Sequence, residues 1–191
     1  MSGKPGGITA ELLGDLQREV RELEAIRGTL PESIIQKSLI LSEETFEVLK
    51  VLRPRAGIAT SYYPDRSLGE ELADILFVGA AIANRIPIRL DMAWGQVTGG
   101  RCRTLAAKSS PADEKEILQA TIDLAERVLT VVSDCRLFDA SQGDSSPMQH
   151  LTEALGKMAF QVDCVAGACN VDMKGALSEK LTKDQFRVWS S

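Results

Sequence analysis

Leu41-Ser42-Glu43-Glu44-Thr45-Phe46-Glu47 and, 23 residues further on, Glu71-Leu72-Ala73-Asp74 repeat one arrangement: two carboxylates three residues apart, Glu44 with Glu47 and Glu71 with Asp74. On a helix, positions three apart are neighbours on one face. Apolar residues around both stretches recur at helical spacing, Ile34, Ile35, Leu41, Val48 and Leu52 in the first and Ile75, Leu76 and Ile82 in the second. Asp74 runs directly into Ile75-Leu76-Phe77-Val78, where an unpaired carboxylate is expensive. If the two helices pack antiparallel, four carboxylates meet across the interface and repel unless a cation lies between them. Arginines would neutralise such a cluster, but oxygen-only ligands at this density suit Mg²⁺ better. On spacing alone, a solvated acidic face accounts for Glu43, Glu44 and Glu47 equally well.

Outward from this centre the helical signal continues and strand signals are nearly absent. Leu12, Leu13, Leu16, Val20 and Leu23 predict a first helix, stopped by Gly28. Pro31 is placed in the first turn of the next, which ends at Arg53-Pro54. A loop covers about 54–66, Ser67-Leu68-Gly69-Glu70 reads as a capping box, and a shorter helix follows Arg89. A second series begins at Lys108-Ser109-Ser110-Pro111, with a helix to about Cys135, a helix from Ser146-Pro147 and a last one capped by Asp172.

Shifting the chain by 83 residues aligns the two series without a gap. Thirteen of the 60 positions from 34 to 93 are then identical, among them Gln36/Gln119, Leu41/Leu124, Glu43/Glu126, Val48/Val131, Arg53/Arg136 and Pro64/Pro147. Ordinary composition gives roughly 4 by chance. The expectation is an all-α chain made of two tandem copies, 1–107 and 108–191, sharing one compact domain.

Bulk properties narrow the function classes. The 191 residues carry a net charge of −5, which disfavours nucleic-acid backbones as partners. No signal-peptide pattern opens the chain and no apolar run reaches the roughly 20 residues of a membrane span, so a cytoplasmic protein without a membrane partner is expected. The scattered Cys102, Cys135, Cys164 and Cys169 read as reduced core thiols, and a single His150 leaves little room for histidine-based catalysis. Chemistry must rest on carboxylates, lysines or a metal.

The pattern Glu43-Glu44-x-x-Glu47, 23 residues, Glu71-x-x-Asp74, with Ala83-Asn84-Arg85-Ile86-Pro87-Ile88 after it, resembles the signature of the MazG-like all-α nucleoside-triphosphate pyrophosphohydrolases over residues 30–105. The resemblance implies hydrolysis of an NTP or dNTP to the monophosphate and pyrophosphate, as nucleotide-pool house-cleaning. It implies Mg²⁺, replaceable by Mn²⁺, on Glu44, Glu47, Glu71 and Asp74, with Glu44 or Glu43 orienting or deprotonating the attacking water. Asn84, Arg85, Arg101, Arg103, Lys180 and Asp184 are the expected substrate contacts, with Trp94 and Trp189 as base-stacking candidates for which core packing is the stronger reading.

Relatives carry a Lys and an Asn or Asp on the helix after the turn, but the first copy has Val97 and Arg101 in those columns. The second copy keeps Lys180 and Asp184 while Arg127, Thr130, Ala154 and Lys157 replace its acids. A combined site, with acids from one copy and Lys180 from the other, is one expectation; a second copy reduced to a lid is the other. A catalytically weak or inactive nucleotide binder, a phosphoribosyl-ATP pyrophosphohydrolase and a purely structural bundle complete the alternatives. A homodimer through the face of Leu12, Leu16, Val20 and Leu23 is the expected oligomer, against a monomer that has internalised its dimer.

Overall fold

Local signals start and stop each helix. In the computed structural model, which describes residues 6–55, 57–58, 67–99, 112–141 and 145–189 (side chains of 187–189 excepted), seven α-helices appear. α1 spans Ala10–Arg27: the Thr9 side chain accepts from Leu12 N, and Gly28 ends the helix at φ 70°, a left-handed conformation that costs glycine little. α2 (Ile34–Leu52) opens on a capping box between Ser33 and Gln36. Pro31 therefore precedes the cap rather than occupying the first turn, because Ser33 supplies the acceptor that the free N–H groups need. α3 (Leu68–Ala83) opens on the expected Ser67–Glu70 box, and α4 (Leu90–Thr98) ends at Gly99, φ 63°.

The second series is α5 (Glu114–Ala140), α6 (Ser145–Ala168) and α7 (Met173–Trp189). α5 starts on Asp113 and outlasts the expected stop near Cys135 by more than a turn. No strand appears among the described residues, so the all-α class expected from the periodicity holds.

α3 is the hub. Fourteen of its 16 residues are buried, because α1, α2, α6 and α7 all pack on it. α6 approaches closely at Gly79, where an added Cβ would lie 2.6 Å from Met158 Cε. One hydrophobic core runs through both halves, from Ile8 to Leu177. The main helix contacts have a regular form: α2 packs on α3 as α5 packs on α6, α3 meets α7 as α6 meets α4, and α2·α5 and α3·α6 close the set.

The structure corrects the expected dimer face. Leu16, Val20 and Leu23 are buried and Leu12 packs against the core, since α1 is covered by α3, α4 and α7. No helix among the described residues is long and apolar enough to cross a membrane.

Candidate metal centre

α2 and α3 pack so that Glu44, Glu71 and Asp74 converge, each offering one carboxylate oxygen within 4.8 Å of the others. Asp74 and Glu71 project from the most buried helix of the fold, Glu71 only 2% exposed, while Glu44 is half-buried at the mouth. Pairs of like charges at that spacing repel by roughly 3 kcal/mol in an effective dielectric of about 20, less where Glu44 meets water. Such a group is relieved by a nearby cation or by protonation of one of its members.

One cation comes from the other end of the chain. Lys180 on α7 places its Nζ 2.5 Å from Asp74 Oδ1 and 5.6 Å from the centre of the Phe77 ring. The residue that sequence reasoning assigned to the second copy thus stands at the acids of the first. Asp184, one turn further along α7, lies 3.4 Å from Lys180 and 3.3 Å from Arg27 of α1. Its side chain is 1% exposed, which leaves it no open face for substrate; its placement holds the Lys180 ammonium and ties α7 to α1. Lys183 adds a second tie to the Glu70 carboxylate, and that ammonium, with the Ser67 N–H, holds the Glu70 carboxyl below its usual range.

Other expected site residues stand elsewhere. Glu47 bonds Lys50 at 2.5 Å, and neither it nor the exposed Glu43 is part of the three-carboxylate group. Asn84 caps α3, and its amide donates to the Gln17 carbonyl at 3.0 Å. Arg85 is a correction. Both terminal nitrogens bond Glu24 at 3.0 Å, and the remaining N–H groups reach the carbonyls of Glu32, Ala81 and Thr29. All five guanidinium donors are consumed inside the fold, so no phosphate contact is left to it. Trp94 is buried and packs on Phe160, ring centroids 6.1 Å apart, which removes it from base recognition. Arg101, Arg103 and Cys102 lie outside the described residues, as does the side chain of Trp189.

Sequence reasoning missed the network around Arg85. Glu24 takes Arg85 and also Lys37, at 2.9 Å, and Lys37 reaches Glu32 at 2.5 Å. A signal was present: Glu24 lies four residues after Val20 and Lys37 four before Leu41, both on the core-facing stripe where a charge needs a partner.

In the second series, Gly156 of α6 lies against α4 so tightly that a Cβ there would sit 2.4 Å from the Ala93 carbonyl oxygen. Burial pushes the Cys135 thiol up to about 12 and the Cys164 thiol up to about 11, so neither is a nucleophile at neutral pH. No protein-family model, no curated protein and no solved structure matches this chain.

Proposed function

We propose that this chain is a Mg²⁺-dependent nucleoside-triphosphate pyrophosphohydrolase whose site joins Glu44, Glu71 and Asp74 to Lys180. The observation that carries the reading is the contact of Lys180 with Asp74 across 106 residues of sequence: acids from one series and the phosphate-binding type of cation from the other meet in one place. The donor set fits the metal. Three carboxylates offer oxygen alone, and a spread of 4.8 Å is close to the roughly 4.2 Å that two opposite ligands of one Mg²⁺ span. Mn²⁺ accepts the same donors.

A divalent cation held by Glu44, Glu71 and Asp74 would neutralise triphosphate oxygens and make a water more acidic. Glu44, at the mouth, is the carboxylate placed to orient an attacking water and to take up its proton. Lys180 sits on a flexible stem next to the acids, and transfer of its ammonium from Asp74 to a phosphate oxygen replaces one charged contact by another. Asp184 and Phe77 hold that stem.

The chain also reads as an internal pair of like units. Exchange of α2, α3 and α4 with α5, α6 and α7 carries the contact scheme onto itself, and α4 begins at Leu90 and α7 at Met173, 83 residues apart, the same shift that aligns the sequence. Under that exchange the second site would hold Arg127, Ala154, Lys157 and Val97, with no ligand for a metal, so one site per chain is expected.

The test is pyrophosphate release from a panel of NTPs and dNTPs in Mg²⁺ and in EDTA, with Glu71→Gln alongside. Metal-dependent release that the substitution abolishes supports the reading; no release from any nucleotide by the folded protein overturns it. A second reading, a nucleotide binder with weak turnover, is favoured by Glu47, whose commitment to Lys50 leaves three carboxylates where four were expected. Nucleotide-dependent thermal stabilisation without release would select it.

A further inference from the structure

The outer faces of α2 and α5 carry large apolar side chains in the open. Leu39 and Phe46 of α2 are 64% and 63% exposed, and Ile122 and Leu129 of α5 are 44% and 65% exposed. These four are two pairs at the 83-residue shift, Leu39 with Ile122 and Phe46 with Leu129. The polar residues of the same stripe also recur: Gln36/Gln119, Glu43/Glu126 and Arg53/Arg136 are identical and all six are exposed. Core packing accounts for the recurrence of buried Leu41/Leu124 and Val48/Val131. It places no demand on an exposed Gln, Glu or Arg, or on an apolar residue set among them.

We propose that this two-helix face binds the same face of a second copy of the chain. α2 packs on α5, and each also packs on α3 or α6, so both stripes lie on the outside of the bundle. Each stripe runs in one order: Gln, an aliphatic residue, Glu, then Phe or Leu, then a basic end, Arg53 in α2 and Arg136 in α5. A twofold axis lying in the interface across the helices sets facing helices antiparallel. Glu43 and Glu126 then come opposite the basic ends of the other copy, with Phe46 and Leu129 between them. The same order recurs in α5, so an α5–α5 contact across such an axis matches its charges in the same way. Helices about 28 Å long and about 10 Å apart present on the order of 600 Å² in projection, the low end of the roughly 800 Å² of accessible surface that stable dimers bury per partner. Exposed apolar side chains flanked by complementary charge match the core-and-rim pattern of such contacts. This surface is separate from the metal centre, and its test does not depend on catalysis.

Light scattering on the full chain is expected to give twice the chain mass of 20.7 kDa. Phe46→Glu with Leu129→Glu, both at exposed sites, is expected to give the monomer with unchanged circular dichroism. Arg53→Glu with Arg136→Glu tests the charge match independently, and it is expected to weaken self-association at least tenfold at low salt. A monomer at about 100 μM, where a dimer of roughly 1 μM Kd would be nearly complete, overturns the proposal, as does a dimer that both double variants leave intact. A monomer that a different macromolecule binds through these residues also overturns it, since the occupant would then not be a second copy.

Discussion

The Lys180 ammonium rests 2.5 Å from the Asp74 carboxylate, so the last helix of the chain closes on the acidic centre of the third. That contact sets two energies against each other. Asp74 is buried and its ionised form is costly without a cation, while a divalent ion at the same oxygens would displace the lysine.

Lys180→Met should therefore lower stability in EDTA by about 1–3 kcal/mol, less than the roughly 3–5 kcal/mol for breaking a fully buried pair because the lysine is partly exposed. Mg²⁺ should recover more stability in this variant than in the wild type, since no ammonium competes for Asp74. Thermal melts with and without the ion measure both effects. Equal metal-induced shifts in the two proteins would mean that Lys180 and the metal do not share a ligand.

Arg85 should behave as a structural residue. Arg85→Lys keeps the charge but loses the planar fork that serves Glu24 and three carbonyls together. Removing one partner of such a buried pair costs about 3–5 kcal/mol, and the lysine variant should fall near the lower end. Urea denaturation reads the loss. A variant of unchanged stability but weakened nucleotide binding would restore Arg85 to the substrate side.

The all-α class, the starts and stops at Ser67 and Gly28 and the Glu44–Glu71–Asp74 meeting were legible because each rests on local chemistry: a capping box, a glycine stop, and carboxylates at helical spacing on adjoining helices. The fate of Arg85 was not. Its motif position next to Asn84 suggested a ligand, whereas its partners Glu24 and Glu32 come from α1 and the loop after it; periodicity marks Glu24 as a buried charge in need of a partner but does not say which. Likewise the α1 stripe looked free for a dimer until α4 and α7 were seen to cover it.

Asp163 offers a pH test. Burial raises its carboxyl above the usual range, partly offset by the Ile8 N–H that it accepts at 2.8 Å. An acid raised in the folded state binds its proton more tightly there than when unfolded. Its contribution is therefore fully present below the ordinary value of about 3.9 and is lost as pH rises through the raised one. Asp163→Asn keeps an oxygen for Ile8 without the buried charge. It should be more stable than the wild type at pH 7, with the difference shrinking towards pH 3. Denaturation curves across that range check it, and a pH-independent difference would count against burial as the cause.

Two glycines separate close approach from mere helix weakening. Gly156→Ala sets a methyl 2.4 Å from the Ala93 carbonyl oxygen, backbone that cannot step aside. It should cost about 1–3 kcal/mol as overpacking. Gly95→Ala meets nothing within 4 Å and should stabilise α4 by roughly 0.5–1 kcal/mol. Melting temperatures that move the same way in both variants would contradict the α4–α6 packing.

Substitution of the carboxylates should give a crossed pattern that distinguishes a metal centre from a solvated acidic face. Without metal, Glu71, Glu44 and Asp74 repel one another, so Glu71→Gln removes a repulsion and should leave the protein in EDTA at least as stable as the wild type. With metal, the same change removes a ligand. Stabilisation by an ion that binds only the folded state grows as the logarithm of concentration over Kd, about 2.7 kcal/mol at a hundredfold excess, and the variant should lose most of it. Glu43→Gln, on the exposed stripe outside the group, should show neither effect. Melts of the three proteins across a Mg²⁺ titration decide the matter: a wild type indifferent to the ion, or a Glu71→Gln variant that responds as the wild type does, would leave these acids with no metal to hold.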